Sequence, residues 1–211
     1  MTRTTVTAVI LMLALGRAGI CDEPSNDRPE QWAQPVALEG VPNLFKVDDA
    51  LYRSAQPTAE GMRNLKKRGI VTIVNLRSFH SDRDEIGDTG LAYEHIYMKP
   101  WHAERKEAVR FLQIVTDPKR TPVLLHCQEG SDRTGAMTAI YRVAVEGWTK
   151  EEAIREMKEG GFSFNEIWTN LPDWIQELDI DSLRQDADIG GATEEPPTAS
   201  PRQQTPVETA G

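Results

Sequence analysis

Cysteine is almost missing from this chain: Cys21 and Cys127 are the only two in 211 residues. That count excludes a disulfide framework. An excess of basic residues is missing too. Lys and Arg number 24 against 33 Asp and Glu, for a formal net charge of −9. The broad cationic footprint of a general nucleic-acid binder is therefore excluded. An anionic substrate is not, because one pocket on an acidic protein can still be positive. No apolar run is long enough to span a bilayer: the amino-terminal run from Val6 to Leu15 has about ten residues where about twenty are needed. What remains, 39% hydrophobic and 27% charged residues, is the composition of a soluble globular domain with extensions.

The extensions read clearly. Arg3, the apolar run and the small residues around Gly16 to Gly19 form the charged–apolar–small order of a secretory signal peptide over residues 1–21. This predicts an exported protein, periplasmic or extracellular. Lipid anchoring at Cys21 is the lesser alternative, since Ile20 is bulkier than the small residue usually found before a lipidated cysteine. Residues 22–40 are polar, carry Pro24, Pro29 and Pro35, and read as a linker. Residues 185–211 hold Pro196, Pro197, Pro201 and Pro206 among Thr, Glu and Gln, and read as a disordered tail. The expected folded unit is 41–184.

Within that unit strand and helix patterns alternate. Leu51 to Arg53, Ile70 to Leu76, Tyr93 to Met98 and Pro122 to His126 read as strands, two of them continuously apolar as buried strands are. Thr58 to Arg68, Glu104 to Val115, Thr134 to Val145, a helix opened by the capping box Thr149-Lys150-Glu151-Glu152, and Leu171 to Leu183 read as helices. Such alternation predicts a single α/β domain with a mostly parallel central sheet flanked by helices. Ligands in such folds bind beyond the carboxyl ends of the strands. Cys127 follows the apolar strand at that edge.

The residues after Cys127 explain why a thiol is kept there. Five residues separate it from Arg133, and Thr134-Gly135 open the next helix. A tight strand-to-helix loop turns several backbone N–H groups inward and makes an anion nest. Gly130 relaxes the backbone at its centre. Arg133 adds a planar fork matched to two phosphate oxygens. The same field favours the thiolate, since thiols at helix N-termini beside cations ionise readily. The candidate binding segment is therefore Gln128, Glu129, Gly130, Ser131, Asp132 and Arg133.

This segment, His126-Cys127-x5-Arg133-Thr134, resembles the signature of the protein tyrosine and dual-specificity phosphatase superfamily. Leu51-Tyr52-Arg53-Ser54-Ala55-Gln56-Pro57, Asn75-Leu76-Arg77 and Gly147-Trp148 extend the likeness to compact bacterial dual-specificity-like phosphatases. The resemblance implies a metal-free, cofactor-free hydrolase of phosphomonoesters with a cysteinyl-phosphate intermediate. Cys127 would be the nucleophile, Arg133 and the loop amides would hold the phosphoryl oxygens, Thr134 would stabilise the departing thiolate and His126 would orient the loop. The expected substrate is a phosphorylated protein or a small phosphomonoester. The loop has two acids and no lysine, which weighs against highly phosphorylated inositides.

The general acid stays open. The superfamily commonly uses an aspartate on a separate loop, but here that stretch reads Met98-Lys99-Pro100-Trp101-His102-Ala103-Glu104. Glu104, Asp132 and His102 are the candidates, with Asp82, Asp84 and Asp88 in a nearby polar loop. Arg53 and Arg77 end predicted strands and support either substrate or structural carboxylates, and Trp101 lines a pocket mouth or packs. Two other readings remain: a phosphate-binding pseudophosphatase, and an inositol phosphate or lipid phosphatase. A rhodanese-like sulfurtransferase also uses a cysteine loop, but the His-Cys…Arg-Thr-Gly frame argues against it.

Overall fold

The computed structural model describes residues 28–190. The expected signal peptide, Cys21 and the tail beyond 190 lie outside them. Six strands form one sheet: β1 (Gln34–Pro35), β2 (Phe45–Lys46), β3 (Leu51–Ser54), β4 (Thr72–Asn75), β5 (Ala92–His95) and β6 (Val123–His126). Their spatial order is β1-β2-β3-β6-β4-β5; the three pairings from β3 to β5 are parallel and the two involving β1 and β2 are antiparallel. Crossovers between the parallel strands carry α1 (Ala59–Lys67), α2 (Arg83–Ile86) and α3 (Arg105–Val115). α4 (Asp132–Ala144), α5 (Lys150–Glu159), α6 (Asn170–Glu177) and α7 (Ile180–Asp186) follow the last strand.

Alternation along the central strands assigns the two faces. Ile73 and Leu124 pack with Met62 and Leu65 of α1 and Ile86 of α2. Val74, Val123 and Leu125 pack with Phe111 of α3 and Met137 and Ile140 of α4. All four residues of β4 and of β6 are buried, which accounts for the uninterrupted apolar reading of both strands. α4 is buried on every side from Thr134 to Ala144, Arg142 included, where the other helices keep an exposed face. The Thr149 capping box is formed as expected: the Thr149 hydroxyl accepts from the Glu152 N–H, and Glu152 accepts from Thr149. Such a cap contributes about 1 kcal/mol.

Three boundaries differ from those read in the sequence. Residues 28–40 are not a linker but a packed strap. Ala33 is fully buried and its N–H donates to Glu156 Oε1 at 2.6 Å, while Arg28 donates to the carbonyls of Ala33 and Gly160. The prolines do not prevent burial, and Pro35 sits on an edge strand, where a missing N–H costs no ladder bond. The carboxyl-terminal boundary also lies later: Leu183 is buried on α7, and Ala187 beyond it packs into the core. The helix expected over 171–183 is two, because Leu178 is extended and Asp179 caps a new start by accepting from Ser182 N–H.

Candidate active site

The registers put Ser54, His126 and Asn75 side by side at one edge of the sheet. The chain leaves β6 there at Cys127 and enters α4 at Asp132. What shapes the intervening loop is the fate of its carbonyls. The Cys127 carbonyl faces His126 Nδ1 at 3.1 Å. Those of Gln128 and Glu129 accept from Gln56 N–H at 3.1 Å and Asn43 Nδ2 at 2.9 Å. The Gly130 carbonyl accepts from Arg53 at 2.7 Å, and that of Ser131 accepts from Gly135 N–H at 2.7 Å. Every carbonyl from 127 to 131 is thus held on the outside. The concave side is left to amide N–H groups, the geometry of an anion cradle.

Gly130 is required at the back of this loop. It has φ +72°, and a Cβ there would lie 2.5 Å from backbone atoms of Ser54 and Ala55. Arg53 fills the space behind. It is 1% exposed, and its guanidinium lies 3.6 Å from the centroid of the Phe162 ring, with Arg28 on the same ring at 5.2 Å. Burial pulls the Arg53 pKa down to about 10, against the opposing charges of Glu156 and Cys127. Arg53 thus supports the loop rather than touching substrate.

Cys127 is 2% exposed at the base of the cradle. Thr134 is fully buried, and its hydroxyl has no partner among the described residues. Arg133 lines a cavity of about 240 Å³ together with Arg77, Ser78, Phe79, Pro100, Trp101 and Gln128. Arg77 donates to Gln56 Oε1 rather than to any carboxylate. Phe79 is 91% and Trp101 59% exposed, so the cavity has an aromatic rim. Trp101 was legible in the sequence; Phe79 was not, because a lone aromatic in a polar loop carries no spacing signal.

None of the acid candidates lines this cavity. Glu104 precedes α3, pairs with Lys106 and faces His102 at 3.5 Å; the Lys106 ammonium holds its carboxyl below the usual range. Asp132 accepts from Asn165 N–H at 2.9 Å and ties the loop to the segment before α6. His102, Asp84 and Asp88 face solvent. Asp82 is fully buried and bonded to His126, Gln56 and Asn75.

A buried thiol at the base of an amide cradle, an arginine fork and an α/β sheet with the loop at its carboxyl edge define a cysteine-dependent phosphatase. Residues 31–170 match the family model described as a DSP-PTPase phosphatase fused to NAD+ kinase, and the chain belongs to this dual-specificity and tyrosine phosphatase family. It is 32% identical to the dual specificity protein phosphatase TpbA of Pseudomonas aeruginosa, over 86% of this chain and 83% of that one. The crystal structure of a cysteine-to-serine form of TpbA in complex with phosphotyrosine superposes with a TM-score of 0.67 at 30% identity, covering 77% of this chain and 99% of that one. Inositol diphosphatase DSP3 of Arabidopsis thaliana is 26% identical over 68% of this chain and 73% of its own. The protein is a phosphomonoester hydrolase of the tyrosine and dual-specificity phosphatase type.

Proposed function

We propose that this phosphatase acts on aryl phosphates, with phosphotyrosine in proteins as its substrate class. The observation that carries this is the make-up of the cavity beside the catalytic loop: two arginines and two exposed aromatics line it. A phenol, with a pKa of about 10, leaves without a strong proton donor far more readily than a serine alkoxide. Phe79 and Trp101 offer faces to an aromatic ring, and offset or edge contacts contribute about 0.5–1.5 kcal/mol beyond burial. The complex of the relative TpbA with phosphotyrosine supports the same class.

In this reading Cys127 Sγ attacks phosphorus in line; the S–P bond forms as the P–O bond to the phenol breaks. Arg133 and the amides of Gln128 to Arg133 hold the equatorial oxygens, whose charge they stabilise. Thr134, whose buried hydroxyl has no partner among the described residues, supports the thiolate when water cleaves the cysteinyl-phosphate to inorganic phosphate. His126 orients the loop. The deciding measurement is kcat/KM on matched phosphotyrosine and phosphoserine peptides. Phosphotyrosine should be favoured by at least about 100-fold; equal values would overturn the substrate class.

A second reading has one observation in its favour: Arg77 and Arg133 share the cavity, as a diphosphate would use. Faster turnover of an inositol diphosphate than of the phosphotyrosine peptide would select it. Export is proposed on the amino-terminal pattern of residues 1–21, and is checked by fractionating cells that produce the full chain.

A further inference from the structure

His126 ends β6 with its whole side chain buried, and both ring nitrogens meet oxygen. Nδ1 lies 3.1 Å from the Cys127 carbonyl, and Nε2 lies 2.6 Å from Asp82 Oδ2. A backbone carbonyl only accepts, and so does an ionised carboxylate. A neutral imidazole has one N–H and would set a lone pair against one of these oxygens. An imidazolium satisfies both.

Asp82 is built to remain ionised. Burial opposes this, but the His126 ring, Gln56 and the nearby His80 together hold its carboxyl below the usual range. Oδ1 accepts from Gln56 Nε2 at 3.0 Å and Asn75 Nδ2 at 3.1 Å, which leaves Oδ2 for the ring. The Asp82 N–H donates to the Tyr93 hydroxyl, so the backbone that carries the carboxylate is also tied down.

We infer that Asp82 is a positioning residue: its buried carboxylate keeps His126 as an imidazolium, which pins the Cys127 carbonyl outward and supports the Cys127 thiolate. The inference rests on Cys127 being the nucleophile. It adds a counter-ion on a separate loop, 44 residues upstream of the ring it pairs with. Two other cations hold or flank the same loop, Arg53 behind it on the Gly130 carbonyl and Arg133 where it enters α4. The loop itself carries the acids Glu129 and Asp132, and Glu156 of α5 acts on Arg53 from behind. On the far side of Asp82, His80 Nε2 lies 3.5 Å from its Oδ1 and 3.3 Å from Glu85 Oε1.

The test follows the thiolate directly, without turnover. Alkylation of Cys127 by iodoacetate is measured from pH 5 to 9 on the full chain and on Asp82→Asn, which preserves shape and removes charge. Alkylation near pH 6 should slow by about tenfold and the profile should move upward by about one pH unit, since tenfold corresponds to one unit. Asp82→Glu should recover part of the shift, and Asp82→Asn should add nothing in a His126→Gln background, because coupled residues are not additive. An unchanged profile in folded Asp82→Asn overturns the inference. Should that variant fail to fold, nitrogen-15 spectra of the unaltered protein decide: two ring N–H protons on His126 at pH 7 support it, one overturns it. A shifted profile in a protein that hydrolyses no aryl phosphate would sink the proposed substrate and leave this inference standing.

Discussion

Arg53 shows how a charged residue can serve a site that it never enters. Its guanidinium is bonded to the Gly130 carbonyl and stacked on Phe162, with Nε buried and unpartnered among the described residues. Arg53→Met keeps much of the packing and removes the donor. It should lower kcat/KM on nitrophenyl phosphate by at least about tenfold and weaken vanadate inhibition, because one carbonyl is freed to turn inward. Arg53→Lys should not rescue, since an ammonium cannot reproduce the flat face that meets the ring. At the loop itself, Cys127→Ser should abolish turnover while retaining phosphotyrosine binding, measured by calorimetry; residual turnover would remove Cys127 as nucleophile. The nucleophile and its fork were legible because their chemistry is packed into consecutive residues, 126–135. Asn43 was not, and Arg53 and Asp82 stood out without their partners, because those partners lie 86, 77 and 44 residues away and no spacing rule links them.

Among elements, the loop-to-α4 junction and the start of α3 behave oppositely. The junction is fixed by close backbone approach, so Gly130→Ala must displace β3 or the loop. Activity should fall by about 100-fold with a smaller change in melting temperature, read by kinetics and thermal melts side by side. The start of α3 is fixed by a capping box in which the Glu104 N–H donates to the buried Glu107, while the Glu104 side chain only meets Lys106 and His102 at the surface, contacts of little energetic weight. Glu104→Gln should therefore affect phosphotyrosine and nitrophenyl phosphate equally; a selective loss on phosphotyrosine would make it the general acid. The elements most legible in sequence were those with strong periodicity and caps, β4, β6 and α5. The strap at 28–40 was missed because proline and polarity mark irregular chain without revealing what it packs against. The α6–α7 break was missed because an apolar helix face continues through Leu178.

For the whole molecule, two charge networks set the stability. The Arg142–Glu156 pair is nearly inaccessible and also receives the Ala33 N–H, so it joins α4, α5 and the strap. Glu156→Ala would strip the buried Arg142 Nε and Nη2 of their acceptor and leave only Glu146 on Nη1, and should destabilise by about 3 kcal/mol in denaturant melts. Acid should act through Glu94, which joins β5 to Arg110 of α3 and to Arg120 before β6. Burial opposes its ionisation, yet the two arginines hold its carboxyl below the usual 4.5. Its contribution is complete above that unfolded-state value and is lost as pH falls through the lower folded one. The unaltered protein should lose melting temperature below about pH 4.5, and Glu94→Gln should flatten that slope.

The position of β6 in the sheet has a consequence for how the chain reaches its active form. It arrives last of the strands in sequence yet lies between β3 and β4, and its parallel partner β3 precedes it by roughly seventy residues. Neither earlier strand can reach its final neighbour until β6 is inserted, so the sheet closes late and through distant contacts, which slows folding. The catalytic loop hangs from that last strand and is clamped by residues from Arg28 to Phe162. No amino-terminal fragment ending before α5 contains the parts needed to shape it. Activity during refolding should therefore return with the slowest structural phase rather than ahead of it.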